Sequence, residues 1–202
     1  MSSLDRPRIG VLALQGDYAA HAAALEEAGA VASEVRKPAD LNGPDGEGLD
    51  GIVLPGGEST TMLKFLERHG LFEALEDFCQ GKPTFGTCAG AILLAREVRN
   101  PPQRSLRLLD AVVERNAYGR QIDSAILHAE TALPGGPLEM VFIRAPRIAE
   151  TGPGVETLAL RDGSPALVRQ GALLAATFHP ELSTDRRIHR LFVEMVEAAR
   201  NR

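Results

Sequence analysis

Long hydrophobic runs, tryptophan and paired cysteines are missing from this chain of 202 residues. The longest apolar run, residues 89–95 with Gly90 inside it, falls far short of the roughly 18 residues that cross a bilayer, which excludes a membrane helix. The opening MSSLDRPR leads straight into an apolar run with no separate hydrophobic segment or small-residue cleavage site. It does not read as a signal peptide, so a cytoplasmic location is expected. Two cysteines, neither in a CxxC pair nor near a histidine at metal-ligand spacing, support neither a disulfide framework nor a metal site. Seven Phe, two Tyr and no Trp, with the basic residues scattered rather than in blocks, leave no stacking or electrostatic footprint for nucleic acid. The expected ligand is small. What is present has ordinary globular proportions, 44% hydrophobic and 24% charged, which excludes a disordered chain. With no internal repeat, residues 1–202 read as one domain rather than a solenoid.

Strand-like and helix-like stretches alternate. Residues 8–14 form a short aliphatic run that stops at Gln15-Gly16, Asp17 reads as an N-cap, and Ala and Leu at helical spacing run to Ala28 before Gly29. Residues 31–35 and 51–54 read as strands, separated by an exposed turn-rich loop at 42–48. Pro55-Gly56-Gly57 breaks the second before a helix that starts near Ser59 or Thr60. A helix over 71–80, a strand over 83–85, a tight turn over 86–90 and a helix over 89–96 follow. The alternation implies an α/β three-layer sandwich, a mostly parallel central sheet with helices on both faces. After Pro101-Pro102, short β-rich runs at 111–114, 125–128, 140–143, 157–160, 166–169 and 173–177 imply antiparallel ribbons and the last strand of the sheet. A final helix over 185–200 carries Ile188, Leu191, Phe192, Met195 and Val196 on one face, suited to closing the sheet.

Gly86-Thr87-Cys88-Ala89-Gly90 has the spacing of a nucleophile elbow, with sulfur in place of the usual hydroxyl. Glycines let the backbone bend sharply between strand and helix, and the helix N-terminus favours thiolate over thiol. The plain alternative is a buried small hydrophobe, the reading that suits Cys79 inside its helix. An acyl-transfer thiolate needs a base and the base an orienter. Of five histidines, His179 stands at a strand end in Phe178-His179-Pro180-Glu181. In an extended segment Glu181 projects to the same side and reaches the imidazole. The alternative is a solvated turn. His69 reads as a helix C-cap, His189 lies in the closing helix, and His21 and His128 stay unassigned. Pro55-Gly56-Gly57-Glu58-Ser59-Thr60 is a Gly-rich strand-to-helix loop that is not a P-loop, since it lacks the Gly-Lys-Ser/Thr ending. Its N–H groups, with that of Ala89, are suited to an oxyanion; taken alone it is an ordinary turn.

With these pieces in order, the chain resembles the class I glutamine amidotransferases, whose triad is Cys-His-Glu. It is most similar to their vitamin B6 branch. The likeness runs through GVLALQG at 10–16, LPGGESTTM at 54–62, GKPTFGTCAG at 81–90, VVERNAYGRQIDS at 112–124, VFIRAP at 141–146, FHPEL at 178–182 and LFVEM at 191–195. The resemblance implies a flavodoxin-like sandwich with Cys88 as nucleophile, His179 as base and Glu181 as its orienter. Gly57, Glu58, Ser59, Arg115, Ile143 and Arg144 would bind L-glutamine, and Gly57 and Ala89 would hold the oxyanion. A cation such as Arg115 or Arg144 and an anion such as Glu58 suit the α-carboxylate and α-ammonium of glutamine; for either Arg the alternative is a surface ion pair.

The resemblance further implies ammonia delivery to a synthase subunit that makes pyridoxal 5′-phosphate, a product of the pair and not a cofactor, and a glutaminase activity that depends on that partner. A chain with room for one amidase domain fits a separate synthase. Two departures stand out: Ala20 before His21, where the family often has an acidic residue, and a longer loop at 42–48. The other readings are a glutaminase subunit of a different synthase and a non-catalytic, Cys88-based sensor or interaction module on the same fold.

Overall fold

The computed structural model describes residues 6–117 and 124–201. Residues 118–123 of the stretch VVERNAYGRQIDS and most of the opening MSSLDRPR lie outside the described residues. The first half of the chain runs β1 (Arg8–Leu12), α1 (Tyr18–Glu27), β2 (Val31–Val35), β3 (Gly51–Leu54), α2 (Ser59–Arg68), α3 (Leu71–Gly81), β4 (Thr84–Thr87) and α4 (Ala89–Leu94). The second half runs β5 (Ala95–Arg99), β6 (Leu109–Glu114), β7 (Ser124–Ala129), β8 (Leu138–Ile143), β9 (Arg147–Thr151), β10 (Glu156–Arg161), β11 (Ser164–Gln170), β12 (Leu173–Ala176) and α5 (Arg187–Arg200).

Strands buried on both faces need unbroken apolar runs, and those runs form the middle of a seven-stranded sheet in the order β10-β11-β12-β4-β3-β1-β2. The five strands from β12 to β2 are parallel, and β10 and β11 extend the sheet as an antiparallel ribbon. The two-residue period of a strand sends alternate side chains to opposite faces. Ile9, Val11 and Val53 pack with α1, α5 and the β7–β8 hairpin. Leu12, Ile52 and Leu54 pack with α2, α3, α4 and a small sheet ordered β5-β6-β9. The mostly parallel three-layer α/β sandwich expected from the alternation is the fold.

The differences are local. The helix expected to reach Arg96 stops at Leu94, because Ala95 turns extended (φ −57°, ψ 144°) and its strand pairs in parallel with β6. β9 completes that small sheet and has no counterpart among the expected strands. Leu191 is only half-buried, whereas the other four expected apolar positions of α5 are buried along with His189 and Val193.

Candidate active site

Open α/β sheets bind ligands beyond the carboxyl ends of their strands, where neighbouring loops diverge. Here the segments following β1, β3, β4, β6, β8 and β12 meet around one cleft of about 260 Å³. Cys88, His179, Gly57, Glu58, Ser59, Arg115, Ile143 and Arg144 all line it. The cleft is on the scale of a single small metabolite.

Cys88 stands between β4 and α4 with φ 48° and ψ −103°, a strained conformation for a residue with a side chain. Its N–H bonds to the Ala176 carbonyl at 2.8 Å, continuing the pairing in which Thr87 faces Ala176. The flanking glycines are needed for contact. A Cβ on Gly86 would lie 2.6 Å from the Gly90 carbonyl, and one on Gly90 would strike the Leu54 carbonyl at the end of β3. Ala89 is the first residue of α4, buried directly behind the cysteine and not part of the cleft lining.

His179 is three residues beyond Ala176 on the strand paired to β4, and its N–H bonds to the Val141 carbonyl at 2.8 Å. The ring packs over Gly56, where a Cβ would collide with its Cε1 and meet the Cys88 Cβ at 3.3 Å. The imidazole Nδ1–H donates to Glu181 Oε1 at 2.7 Å. Glu181 was expected to reach the ring along an extended segment. Instead Pro180–Leu182 forms a turn of 3₁₀ helix with proline in its first position, and the buried carboxylate lies behind the ring, away from the cleft. Burial, the largest single influence, pushes the His179 pKa down, but hydrogen bonds with Cys88 and Glu181 and the Coulombic attraction of both outweigh it and hold the ring up at about 10. The protonated, donating form of the imidazole is thereby favoured.

The rim differs. Glu58 is the N-cap of α2 and accepts from the N–H and hydroxyl groups of both Thr60 and Thr61. Partial burial pushes its pKa up, but these bonds dominate and bring it to about 2, so the carboxylate is firmly ionised. Arg115, whose side chain is 12% exposed, reaches Glu58 Oε1 at 3.5 Å and Thr60 Oγ1 at 3.2 Å. Arg144 is exposed, at φ 44°, and makes no side-chain ion pair among the described residues. Ser59 is buried with its hydroxyl on Gln103 Oε1 at 3.0 Å. The Gln15 side chain bridges the Glu58 backbone, donating to its carbonyl at 2.7 Å and accepting from its N–H at 3.4 Å. The loop after β1 is thus tied to the loop after β3.

Sequence reasoning passed over Asp17, Ile92, Asn116 and Pro146, which also line the cleft. Asp17 does occupy the N-cap position of α1, yet its side chain makes no capping bond. With His179 and Glu181 it brings one ligand-type atom within 4.8 Å of the others, the group of described residues with the spacing to hold a metal ion. Glu181 is already engaged with His179 there, so the grouping follows from the base and its carboxylate. Cys79, by contrast, is buried in α3, and burial pushes its thiol up to about 12.

Residues 11–198 match the profile of the SNO glutamine amidotransferase family. The chain is 60% identical over 189 residues to the pyridoxal 5′-phosphate synthase subunit PdxT of Koribacter versatilis (strain Ellin345), covering 94% of this chain and 95% of the relative. It is 52% identical to the subunit of that name from Solibacter usitatus (strain Ellin6076), over 92% of this chain and 97% of the relative. A crystal structure described as a glutamine amidotransferase superposes with a TM-score of 0.83 at 46% identity, over 93% of this chain and 98% of that one.

Proposed function

The chain belongs to the SNO glutamine amidotransferase family, and we propose that within it the protein is the glutaminase subunit of a pyridoxal 5′-phosphate synthase, with residues 1–202 acting as one glutaminase domain. The observation that carries this reading is a cysteine on a strained strand-to-helix turn that lines a small cleft beside an imidazole, the imidazole being itself held by a buried carboxylate. That arrangement is what thiol acyl transfer requires.

In the reaction so proposed, the α-carboxylate of L-glutamine pairs with Arg144, with Arg115 adding to the positive field, and the ionised Glu58 faces the α-ammonium. The Cys88 thiolate attacks the side-chain amide carbon, and the N–H groups of Gly57 and Ala89 hold the oxyanion of the tetrahedral intermediate. The imidazolium of His179 passes its proton to the leaving nitrogen, the C–N bond breaks and ammonia departs, leaving a γ-glutamyl thioester. Water then gives a proton to the neutral imidazole and attacks the thioester, releasing glutamate and restoring the thiolate. Glutamine and water become glutamate and ammonia. Because free ammonia is protonated in neutral water, productive use of it calls for handover within a complex to the synthase subunit. No helix among the described residues is long and apolar enough to cross a membrane.

The test is glutamine hydrolysis by wild type and Cys88→Ala, each with and without the synthase subunit, followed as glutamate formed. The expected outcome is turnover by wild type in the complex and a loss of at least about a thousandfold in the variant, as when a nucleophile that acts together with its base is removed. Undiminished hydrolysis by Cys88→Ala in the complex would overturn the assignment.

A further inference from the structure

A second buried polar chain begins where the Cys88, His179 and Glu181 contacts end. His21, on α1, is fully buried. Its Nε2 lies 3.2 Å from Glu181 Oε2 and 3.0 Å from Thr87 Oγ1, and its Nδ1 lies 3.1 Å from Nε2 of His189, on α5. Phe85 packs edge-on to both imidazoles, at 6.2 Å from one centroid and 6.0 Å from the other.

We propose that His21 is a positioning residue for the glutaminase reaction: its ring presents an N–H to the outer oxygen of Glu181 and holds that carboxylate in place behind His179. The proposal rests on the reading of Cys88, His179 and Glu181 as nucleophile, base and orienter. An ionised carboxylate only accepts hydrogen bonds, so the contact is favourable only when Nε2 of His21 carries the proton. A neutral ring then has a bare Nδ1, which accepts from Nε2–H of His189. His189 in turn has a bare Nδ1, and that atom has no partner among the described residues. The chain therefore has one consistent direction, from His189 through His21 to Glu181, with both rings neutral. Burial and the neighbouring His189 and His179 push the His21 pKa well below its ordinary value, in agreement with a neutral ring.

Two features make the contact useful rather than incidental. Glu181 Oε2 is buried with no aligned hydrogen-bond partner among the described residues, and Nε2 of His21 lies 3.2 Å from it; a buried acceptor left without a donor is costly. Nε2 of His21 bonds with the hydroxyl of Thr87 at 3.0 Å and stands 3.2 Å from this oxygen, close enough for the same ring edge to serve both. Thr87 immediately precedes Cys88. One ring therefore spans the two segments, the end of β4 and the turn after β12, whose separation sets the distance from thiol to base.

The experiment compares His21→Gln with His21→Asn in steady-state glutamine hydrolysis by the complex with the synthase subunit. A glutamine side chain puts an amide N–H three bonds from Cβ, at the place of Nε2, whereas asparagine reaches only the place of Nδ1. The expected result is kcat lowered about tenfold in His21→Asn, the scale of one buried hydrogen bond, at a KM for glutamine that stays near wild type. His21→Gln recovers most of that loss. Equal kcat in the two variants, or an effect confined to KM, overturns the proposal, since a purely space-filling histidine would not distinguish them by donor position. Cys88→Ala assayed alongside separates the two levels. If it retains hydrolysis, the reading of the site fails and takes this one with it; if it is inactive while the two His21 variants match, only the role of His21 falls.

Discussion

At the floor of the cleft the polar groups are buried and bonded among themselves; at the rim they stand in or near solvent. Side-chain exposure is 6% for His179 and 0% for Glu181, against 48% for Glu58. The floor is assembled from residues far apart in sequence, brought together by paired strands and by glycines that let backbones touch. The rim is assembled from loop residues, with Glu58 capping α2 locally while Arg115 and Gln15 reach it from other loops. Buried, mutually held groups suit a transition state, where small displacements are costly. Exposed charges at loop ends suit recognition of a charged metabolite, which needs complementarity more than fine placement. On the proposed function, changes at the floor act on kcat and changes at the rim act on KM.

The sharpest way to break that division after removal of the nucleophile is Glu181→Gln. It keeps the shape and removes the charge, and kcat is expected to fall by about a thousandfold to ten-thousandfold, the upper figure by analogy with an amide replacing the carboxylate of a serine-protease triad. The His179 pKa, raised to about 10 partly by this carboxylate, is expected to move down, because a lost anion no longer favours the imidazolium. An NMR titration of the ring checks this; an unmoved midpoint would mean that Glu181 does not set its charge state.

At the rim, Arg144→Ala is expected to raise KM for glutamine about tenfold, as for a lost charge-assisted hydrogen bond. Arg115→Ala should raise it less, because that guanidinium is already shared with Glu58 and Thr60. A larger effect from Arg115, or a fall mainly in kcat for either, would erase the contrast between floor and rim.

The smallest expected effect is on stability. Glu58→Gln weakens an N-cap, worth about 1 kcal/mol at most. Because the folded-state pKa is depressed to about 2, the carboxylate's contribution is fully present above about pH 4.5 and is lost as pH falls toward 2. Thermal midpoints of wild type and variant should therefore differ at pH 6 and converge near pH 2. A gap that persists in acid would assign the cap to shape rather than charge.

The fold was legible where one local signal sufficed. β2 and β3 match the strands read at 31–35 and 51–54 residue for residue, and α2 begins where the Gly-rich break ends. β5 and β9 were not, because their sequences, AREVR and RIAET, are rich in charge. Both pair with β6, and an ion pair between Arg99 and Glu150 at 2.8 Å joins them across it. Such strands are specified by partners rather than by their own pattern.

The site divides in the same way. Cys88, His179 and the Gly-rich loop announce themselves through turns and strand ends. His21 does not, since its contacts lie 66, 160 and 168 residues away, at Thr87, Glu181 and His189. Asp17 carried a misleading local signal, occupying a capping position while its side chain lines the cleft.

Gly56 contributes no functional group, yet the imidazole of His179 lies in the space that any other side chain would claim. Its contribution to catalysis is an omission. An inventory of reactive groups would pass over position 56, although the placing of the base depends on it as directly as on the carboxylate behind.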